Sequence, residues 1–142
     1  MGRCYNSAVI AAPREQVWER IKDFHDLSWA AGVVSKVDRV GAKAGTEVGA
    51  ARVLNDAFHE TLQALDEDNF SFSYSIDDGP GPVARDAVSH YRGTVRLLPV
   101  TDSNTTFIEW ASQFDSAADQ EVVAFCNPIY AALIGALKAG FA

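Results

Sequence analysis

Residues 58–77, FHETLQALDEDNFSFSYSID, read as two β-strands joined by a tight turn. In the second strand large apolar residues alternate with serines, which is the period-two pattern of a strand with one buried face. In the first strand Phe58, Leu62 and Ala64 share the apolar face, and Glu60 lies among them. The pattern therefore predicts a hairpin that carries a carboxylate into an apolar interior.

Similar strand patterns continue on both sides of this hairpin. Turn signals separate them, among them GAKAG, LND, DDGPGP and TDSN. Consecutive strands with such short connections predict an antiparallel meander, and the first strand of the chain can pair onto it. The predicted strands cover residues 3–10, 33–40, 47–54, 57–66, 70–77, 88–99 and 105–115.

Helical periodicity occurs in three segments. PREQVWERIKDF begins at Pro13 and predicts an amphipathic helix, and residues 25–32 predict a shorter one. Residues 117–141 predict a long C-terminal helix, which Asn127-Pro128 should kink or break. Because one face of an open sheet needs a cover, we expect one α+β domain over residues 1–142. In it a strongly curved seven-stranded antiparallel sheet wraps around the C-terminal helix, with two short helices between strands 1 and 2.

The composition limits the classes of partner. The 142 residues are 48% hydrophobic and 22% charged, with a net charge of −7. An acidic surface repels phosphate backbones, so nucleic acid and anionic membrane surfaces are not expected as partners. We find no apolar run long enough for a membrane span and no signal-peptide pattern, which predicts a cytoplasmic protein. Cys4 and Cys126 belong to no CxxC motif and are expected to be free thiols.

Cofactor motifs do not occur in the sequence. There is no GxGxxG motif and no phosphate-binding loop. The three histidines, His25, His59 and His90, are widely separated, so a metal site built from them is not expected. We therefore expect neither a cofactor nor a metal, and a chain that is a monomer or a homodimer.

Three polar side chains are assigned by alternation to the apolar interior: Arg52, Glu60 and Tyr91. Small residues on the same inward faces, such as Ala64 and Gly93, predict gaps and hence a cavity. Arg52 and Glu60 flank a short turn, so we expect them to be cross-strand neighbours in which a guanidinium holds the carboxylate. The sequence leaves three interpretations open: a structural ion pair, an error in the assumed register, and a polar handle for a ligand.

Four patterns, in this order, resemble the Bet v 1/START-like helix-grip superfamily (SRPBCC), in particular its polyketide cyclase/dehydrase-like branch. They are PREQVWERIKDFHDLSWAAG, VGAARVL, HETLQALDEDNFSFSYSI and YRGTVRLLPVTDSNTTFIEWASQFD, and together they span nearly the whole chain. The resemblance implies a large cavity between sheet and long helix that takes apolar or amphipathic small molecules. It also implies a role for Arg52, Glu60 and Tyr91, since matching residues form a proton-transfer site or contact the ligand in members of the superfamily.

We therefore expect a protein that binds an apolar small molecule, with Arg52, Glu60 and Tyr91 as its polar handle. The alternative is a cyclase, dehydratase or isomerase in which Glu60 is the general acid or base, Arg52 holds an anionic group and Tyr91 donates a hydrogen bond. An interaction module acting through its surface is a third class, which no residue singles out. The residues expected to contact the ligand are Trp29, Phe58, Leu62, Phe72, Tyr74, Gly93, Trp110 and Tyr130.

Overall fold

Seven strands form a single antiparallel sheet in the computed structural model, which describes residues 1–142. They are β1 (Gly2–Ile10), β2 (Val37–Val40), β3 (Ala51–Leu54), β4 (Phe58–Asp66), β5 (Ser71–Asp78), β6 (Val88–Val100) and β7 (Thr105–Ser116). Their order in the sheet is β1-β7-β6-β5-β4-β3-β2. The predicted meander, with the first strand paired onto the last, is therefore confirmed.

Two helices complete the fold. α1 (Arg14–Ile21) follows β1, and α2 (Asp119–Gly140) follows β7. The predicted second short helix over residues 25–32 is only a 3₁₀ turn, Ser28–Ala30. α2 covers one face of the sheet with six buried residues, Val122, Cys126, Tyr130, Leu133, Ile134 and Leu137. This sheet with one long covering helix is the predicted helix-grip architecture.

The apolar character of α2 corrects one expectation. Its mean hydropathy over an 18-residue window is 1.6, so by length and composition alone it could cross a membrane. We expected no segment of that kind, because no uninterrupted apolar run in the sequence is long enough for a membrane span. In the fold α2 is the core helix of the sheet, and its apolar side chains join the common hydrophobic core.

Pro128 does not break α2, contrary to the prediction. The helix is continuous from Asp119 to Gly140. A proline has no N–H, so the carbonyl of Ala124 loses its helical partner. Both residues are exposed, and water can donate to that carbonyl. Asn127, which was expected to cap a new helix, instead accepts a hydrogen bond from Asn6 Nδ2 at 3.0 Å.

A β-bulge in β4 places Ala64 on the outer face of the sheet. Leu62 pairs with Tyr74, but Ala64 pairs with Ser73, so β4 holds one more residue than β5 between these pairs. Leu62 and Tyr74 are each 1% exposed and point inward, and Ser73 belongs to the opposite face. The predicted inward position of Ala64 is therefore wrong, because strict alternation fails at a bulge.

Candidate functional site

A cavity of about 220 Å³ lies between the sheet and α2. Twelve of its fifteen lining residues are hydrophobic, which makes its wall largely apolar. The exposed Asn55, in the β3–β4 turn, is one of them and marks the mouth. The lining residues are Leu27, Val33, Val34, Arg52, Leu54, Asn55, Phe58, Glu60, Tyr74, Ile76, Trp110, Cys126, Ile129, Tyr130 and Leu133.

Arg52 and Glu60 are direct cross-strand partners on β3 and β4, as predicted. Their side chains are 5% and 6% exposed. Arg52 donates from Nε and Nη2 to one carboxylate oxygen, Glu60 Oε1, at 2.9 and 2.6 Å. Its Nη1 donates to the carbonyl of Phe24 at 2.8 Å, and the Phe24 ring centre lies 3.7 Å from the guanidinium carbon. Every nitrogen of the guanidinium is thus engaged by the protein.

The other carboxylate oxygen of Glu60, Oε2, accepts no hydrogen bond from the protein. It is not fully enclosed, and Glu60 lines the cavity, so Oε2 faces the cavity space. Burial raises the pKa of the Glu60 carboxyl, and the Arg52 guanidinium opposes this rise. Because Oε1 already accepts two hydrogen bonds, a proton that this carboxyl takes up is carried on Oε2.

A directed chain of hydrogen bonds runs beside the cavity. Trp110 Nε1 donates to the Tyr74 hydroxyl at 2.9 Å, and Tyr74 donates to the Tyr130 hydroxyl at 3.0 Å. Tyr130 donates to Tyr91, and Tyr91 donates to Ser112 Oγ at 3.0 Å. Burial raises the pKa of all three tyrosines, which keeps them neutral. Each tyrosine hydroxyl in the chain keeps its proton and uses it in a hydrogen bond to a protein acceptor.

Tyr91 belongs to this chain of hydrogen bonds but does not line the cavity. Its ring stacks on Phe114 with centroids 5.5 Å apart, and its hydroxyl is held by Tyr130 and Ser112. We expected Tyr91 to face the same space as Glu60. That expectation is wrong because Tyr130, which α2 supplies, takes the position on the cavity wall and leaves Tyr91 in the layer behind it.

Four of the eight residues expected to contact the ligand do line the cavity: Phe58, Tyr74, Trp110 and Tyr130. Gly93 is not a gap, because the Tyr74 ring lies across it and would overlap any Cβ at that position. This glycine is what allows Tyr74 to lie flat over β6. Tyr74 thereby reaches both Tyr130 and Trp110.

The other three expected contacts, Trp29, Leu62 and Phe72, belong to the packed core around the cavity instead. Phe72 packs against Phe24, with ring centroids 6.4 Å apart. Trp29 lies 6.5 Å from Trp110 between ring centroids and donates from Nε1 to a backbone carbonyl, so it supports the wall from outside. Leu62 is enclosed by the core. Alternation correctly predicted that Leu62 and Phe72 point inward. It could not predict how far the cavity extends along that inward face.

Sequence reasoning missed the mouth of the cavity. Residues 33–36, predicted as strand, are a loop held by Asn55, whose Oδ1 accepts from the backbone amides of Ser35 and Lys36 at 2.8 and 3.2 Å. Asn55 Nδ2 donates to the carbonyl of Val33 at 3.1 Å. The turn signal LND marked this position, since asparagine tolerates the left-handed φ of 54° found there.

α2 contributes four lining residues, Cys126, Ile129, Tyr130 and Leu133, of which only Tyr130 was predicted to contact the ligand. Three of the four, Cys126, Ile129 and Leu133, recur at spacings of three and four residues and so lie on one side of the helix. This spacing was therefore a usable signal for the part of the wall that the strands do not provide.

Solved structures of bacterial and plant proteins share this fold. A protein from Nitrosospira multiformis is 43% identical with a TM-score of 0.96, over 99% of this chain and 96% of that chain. XoxI from Bacillus cereus is 26% identical with a TM-score of 0.82, over 99% of this chain and 96% of that chain. Norcoclaurine synthase from Thalictrum flavum, solved with dopamine and hydroxybenzaldehyde, is 16% identical with a TM-score of 0.72, over 96% of this chain and 84% of that chain.

The similarity to norcoclaurine synthase is a likeness of fold alone, whereas the likeness to the Nitrosospira protein extends to sequence. A search of the curated proteins finds no match. The family model described as polyketide cyclase/dehydrase and lipid transport matches residues 1–142. The match spans the sheet, α2 and the cavity between them, and the chain belongs to this family.

Proposed function

We propose that the protein binds an apolar or amphipathic small molecule in the cavity between the sheet and α2. The observation that carries this proposal is a 220 Å³ space with a largely apolar wall and a buried charged pair at one side. Concave apolar sites with a few convergent polar groups are typical of small-molecule binding. Arg52 and Glu60 provide the polar handle, whereas Tyr91, expected as its third member, does not line the cavity.

A second candidate, acid–base catalysis in the same cavity, is favoured by one observation. Glu60 Oε2 faces the cavity without a partner, while burial raises the pKa of its carboxyl. A carboxyl of this kind can give or take a proton through Oε2, as a cyclase, dehydratase or isomerase needs. In this version Glu60 is the acid or base, and Arg52 holds its carboxyl in position rather than holding the substrate.

The cavity proposal is tested with an apolar fluorescent probe, which should bind at one equivalent. Leu54→Phe adds volume from the cavity wall and should weaken the binding of the probe. Leu98→Phe makes the same change outside the cavity and serves as the matched control. If both variants bind the probe as the wild type does, the cavity is not the binding site.

The two candidates are separated by turnover. Mass spectrometry identifies the molecule that copurifies with the protein, and that molecule is then incubated with wild type and Glu60→Gln. A catalytic Glu60 predicts conversion that falls by about 10²-fold or more in the variant. An unchanged molecule in both samples supports binding without catalysis. A cytoplasmic location and a monomeric or dimeric state stay predictions from the sequence.

A further inference from the structure

We infer that the cavity selects a ligand of one ring whose polar end is a hydroxyl that donates a hydrogen bond to Glu60 Oε2. This inference rests on the proposed binding function and adds the chemical class of the ligand. Two independent properties of the site lead to it: the size of the cavity and the direction in which its polar atoms point.

The size of the cavity favours short ligands. A dry apolar cavity of about 150 Å³ is known to hold benzene in another protein. The cavity here, about 220 Å³, has room for one ring and a short polar substituent. A longer chain would have to extend out of the cavity through the mouth at Asn55. Phe58, Tyr74, Trp110 and Tyr130 supply aromatic surface suited to contact with a ring.

The guanidinium of Arg52 lines the cavity, and three of its five N–H groups are bonded to the protein. Nε and Nη2 are used by Glu60 Oε1, Nη1 is used by the Phe24 carbonyl, and the Phe24 ring covers one face of the guanidinium. One N–H on Nη1 and one on Nη2 have no protein acceptor. The pair therefore presents a free acceptor, Glu60 Oε2, beside these two remaining donors, and a hydroxyl can donate to the first while it accepts from one of the others.

The tyrosine hydroxyls of the wall do not add free donors to the cavity. The hydroxyls of Tyr74 and Tyr130 donate to other tyrosines. An anionic ligand would bring a second negative charge beside the carboxylate oxygen Oε2, which is costly in an apolar space. An ammonium ligand would leave two cations, its own and Arg52, with a single carboxylate. A neutral hydroxyl satisfies Oε2 without adding a charge.

Four ligands of nearly equal size test this inference: benzyl alcohol, benzylamine, benzoate and toluene. Each is titrated into the wild type by calorimetry at about pH 8, where the adjacent Arg52 guanidinium favours the carboxylate form of Glu60. We expect benzyl alcohol to bind about 10-fold tighter than toluene, because one hydrogen bond to a charged acceptor is gained. Benzylamine should bind more weakly than the alcohol, and benzoate most weakly.

Glu60→Gln provides the second arm. The amide oxygen can keep the hydrogen bonds from Arg52, which leaves an N–H₂ group facing the cavity. The ratio of benzyl alcohol to benzoate affinity should then fall by about 10-fold or more, because the acceptor has become a donor and Arg52 has lost its counter-charge. Glu109→Gln makes the same change on the outer face of β7 and should leave the ratio unaltered.

The possible results are distinct. Equal affinity for all four ligands, or tighter binding of benzoate than of benzyl alcohol, would overturn the hydroxyl selectivity and leave the cavity proposal standing. No binding of any of the four would overturn both. The wild-type series decides the question by itself even if Glu60→Gln does not fold.

Discussion

Two polar groups lie within the apolar interior, and they differ in how completely the protein satisfies them. The hydroxyl chain from Trp110 to Ser112 uses the donor of Trp110 and of each of its three tyrosines. The pair of Arg52 and Glu60 uses every guanidinium nitrogen but leaves one carboxylate oxygen toward the cavity. Both groups are buried, so burial does not distinguish them. The free acceptor marks the ion pair as the part of the interior that is arranged for something other than folding.

The largest expected effect separates a buried charge from a surface one. Arg52→Ala leaves the Glu60 carboxylate without its counter-charge and should lower the free energy of unfolding by about 3–5 kcal/mol. Urea denaturation measures this change. Arg96→Ala is the matched control, because Arg96 pairs with Glu109 at 3.6 Å on the surface, where loss of a pair costs about 1 kcal/mol or less. Equal losses in the two variants would contradict the burial of the pair.

The second effect concerns the position of Tyr74 at the head of the hydroxyl chain. Gly93→Ala forces a methyl group into the Tyr74 ring and should destabilise the fold by about 1–3 kcal/mol. The control is Gly135→Ala on the exposed side of α2, where no atom lies within 4 Å of the added carbon. That change should stabilise the protein by about 0.5–1 kcal/mol, since alanine is the better helix former. Thermal unfolding of both variants measures the opposite signs.

The third effect is a pH dependence that begins near the unfolded pKa of a glutamic acid, far below the range in which the tyrosines of the hydroxyl chain titrate. Burial raises the pKa of Glu60, so the folded protein keeps this proton to a higher pH than the unfolded chain does. The stability that the protonated carboxyl contributes is complete below the unfolded pKa, about 4.3, and is lost as the pH rises through the folded pKa. Over that window the wild type should lose stability relative to Glu60→Gln by about 1.4 kcal/mol for each unit of the rise. A stability difference that stays constant with pH would contradict the raised pKa.

The smallest effect tests whether the hydroxyl chain is only structural. Tyr91→Phe removes one hydroxyl, so Tyr130 loses its acceptor and Ser112 loses the donor that bonds to it, at a cost of about 1 kcal/mol in unfolding free energy. Benzyl alcohol affinity should not change, because Tyr91 does not line the cavity. A large loss of affinity in this variant would show that the chain acts on the ligand as well, and the contrast with the ion pair would fail.

The same contrast explains how much the sequence could predict. Arg52 and Glu60 were placed correctly because alternation and a short turn determine which residues of a hairpin face each other. Ala64 was misplaced because the bulge after Leu62 leaves no mark in an alternating pattern. Tyr91 was assigned to the correct face of β6, but its distance from the cavity depends on Tyr130, a residue of α2.

Pro128 illustrates a different limit. A proline in a helical pattern predicts a break because it removes one hydrogen bond and crowds the preceding turn. Whether the helix continues depends on which side of it the proline occupies. In α2 that side is exposed, and packing of the opposite side against the sheet holds the helix together. Local sequence does not contain that tertiary contribution.

Asn55 has a consequence for the kinetics of exchange. One side chain holds the loop of residues 33–36 at the mouth, with hydrogen bonds to Val33, Ser35 and Lys36. If the proposed ligand leaves the cavity past this loop, its exit requires those hydrogen bonds to open. The residence time of the ligand would then depend on the mouth, whereas its affinity would depend on Glu60 and the aromatic wall. A ligand that binds weakly could still be released slowly.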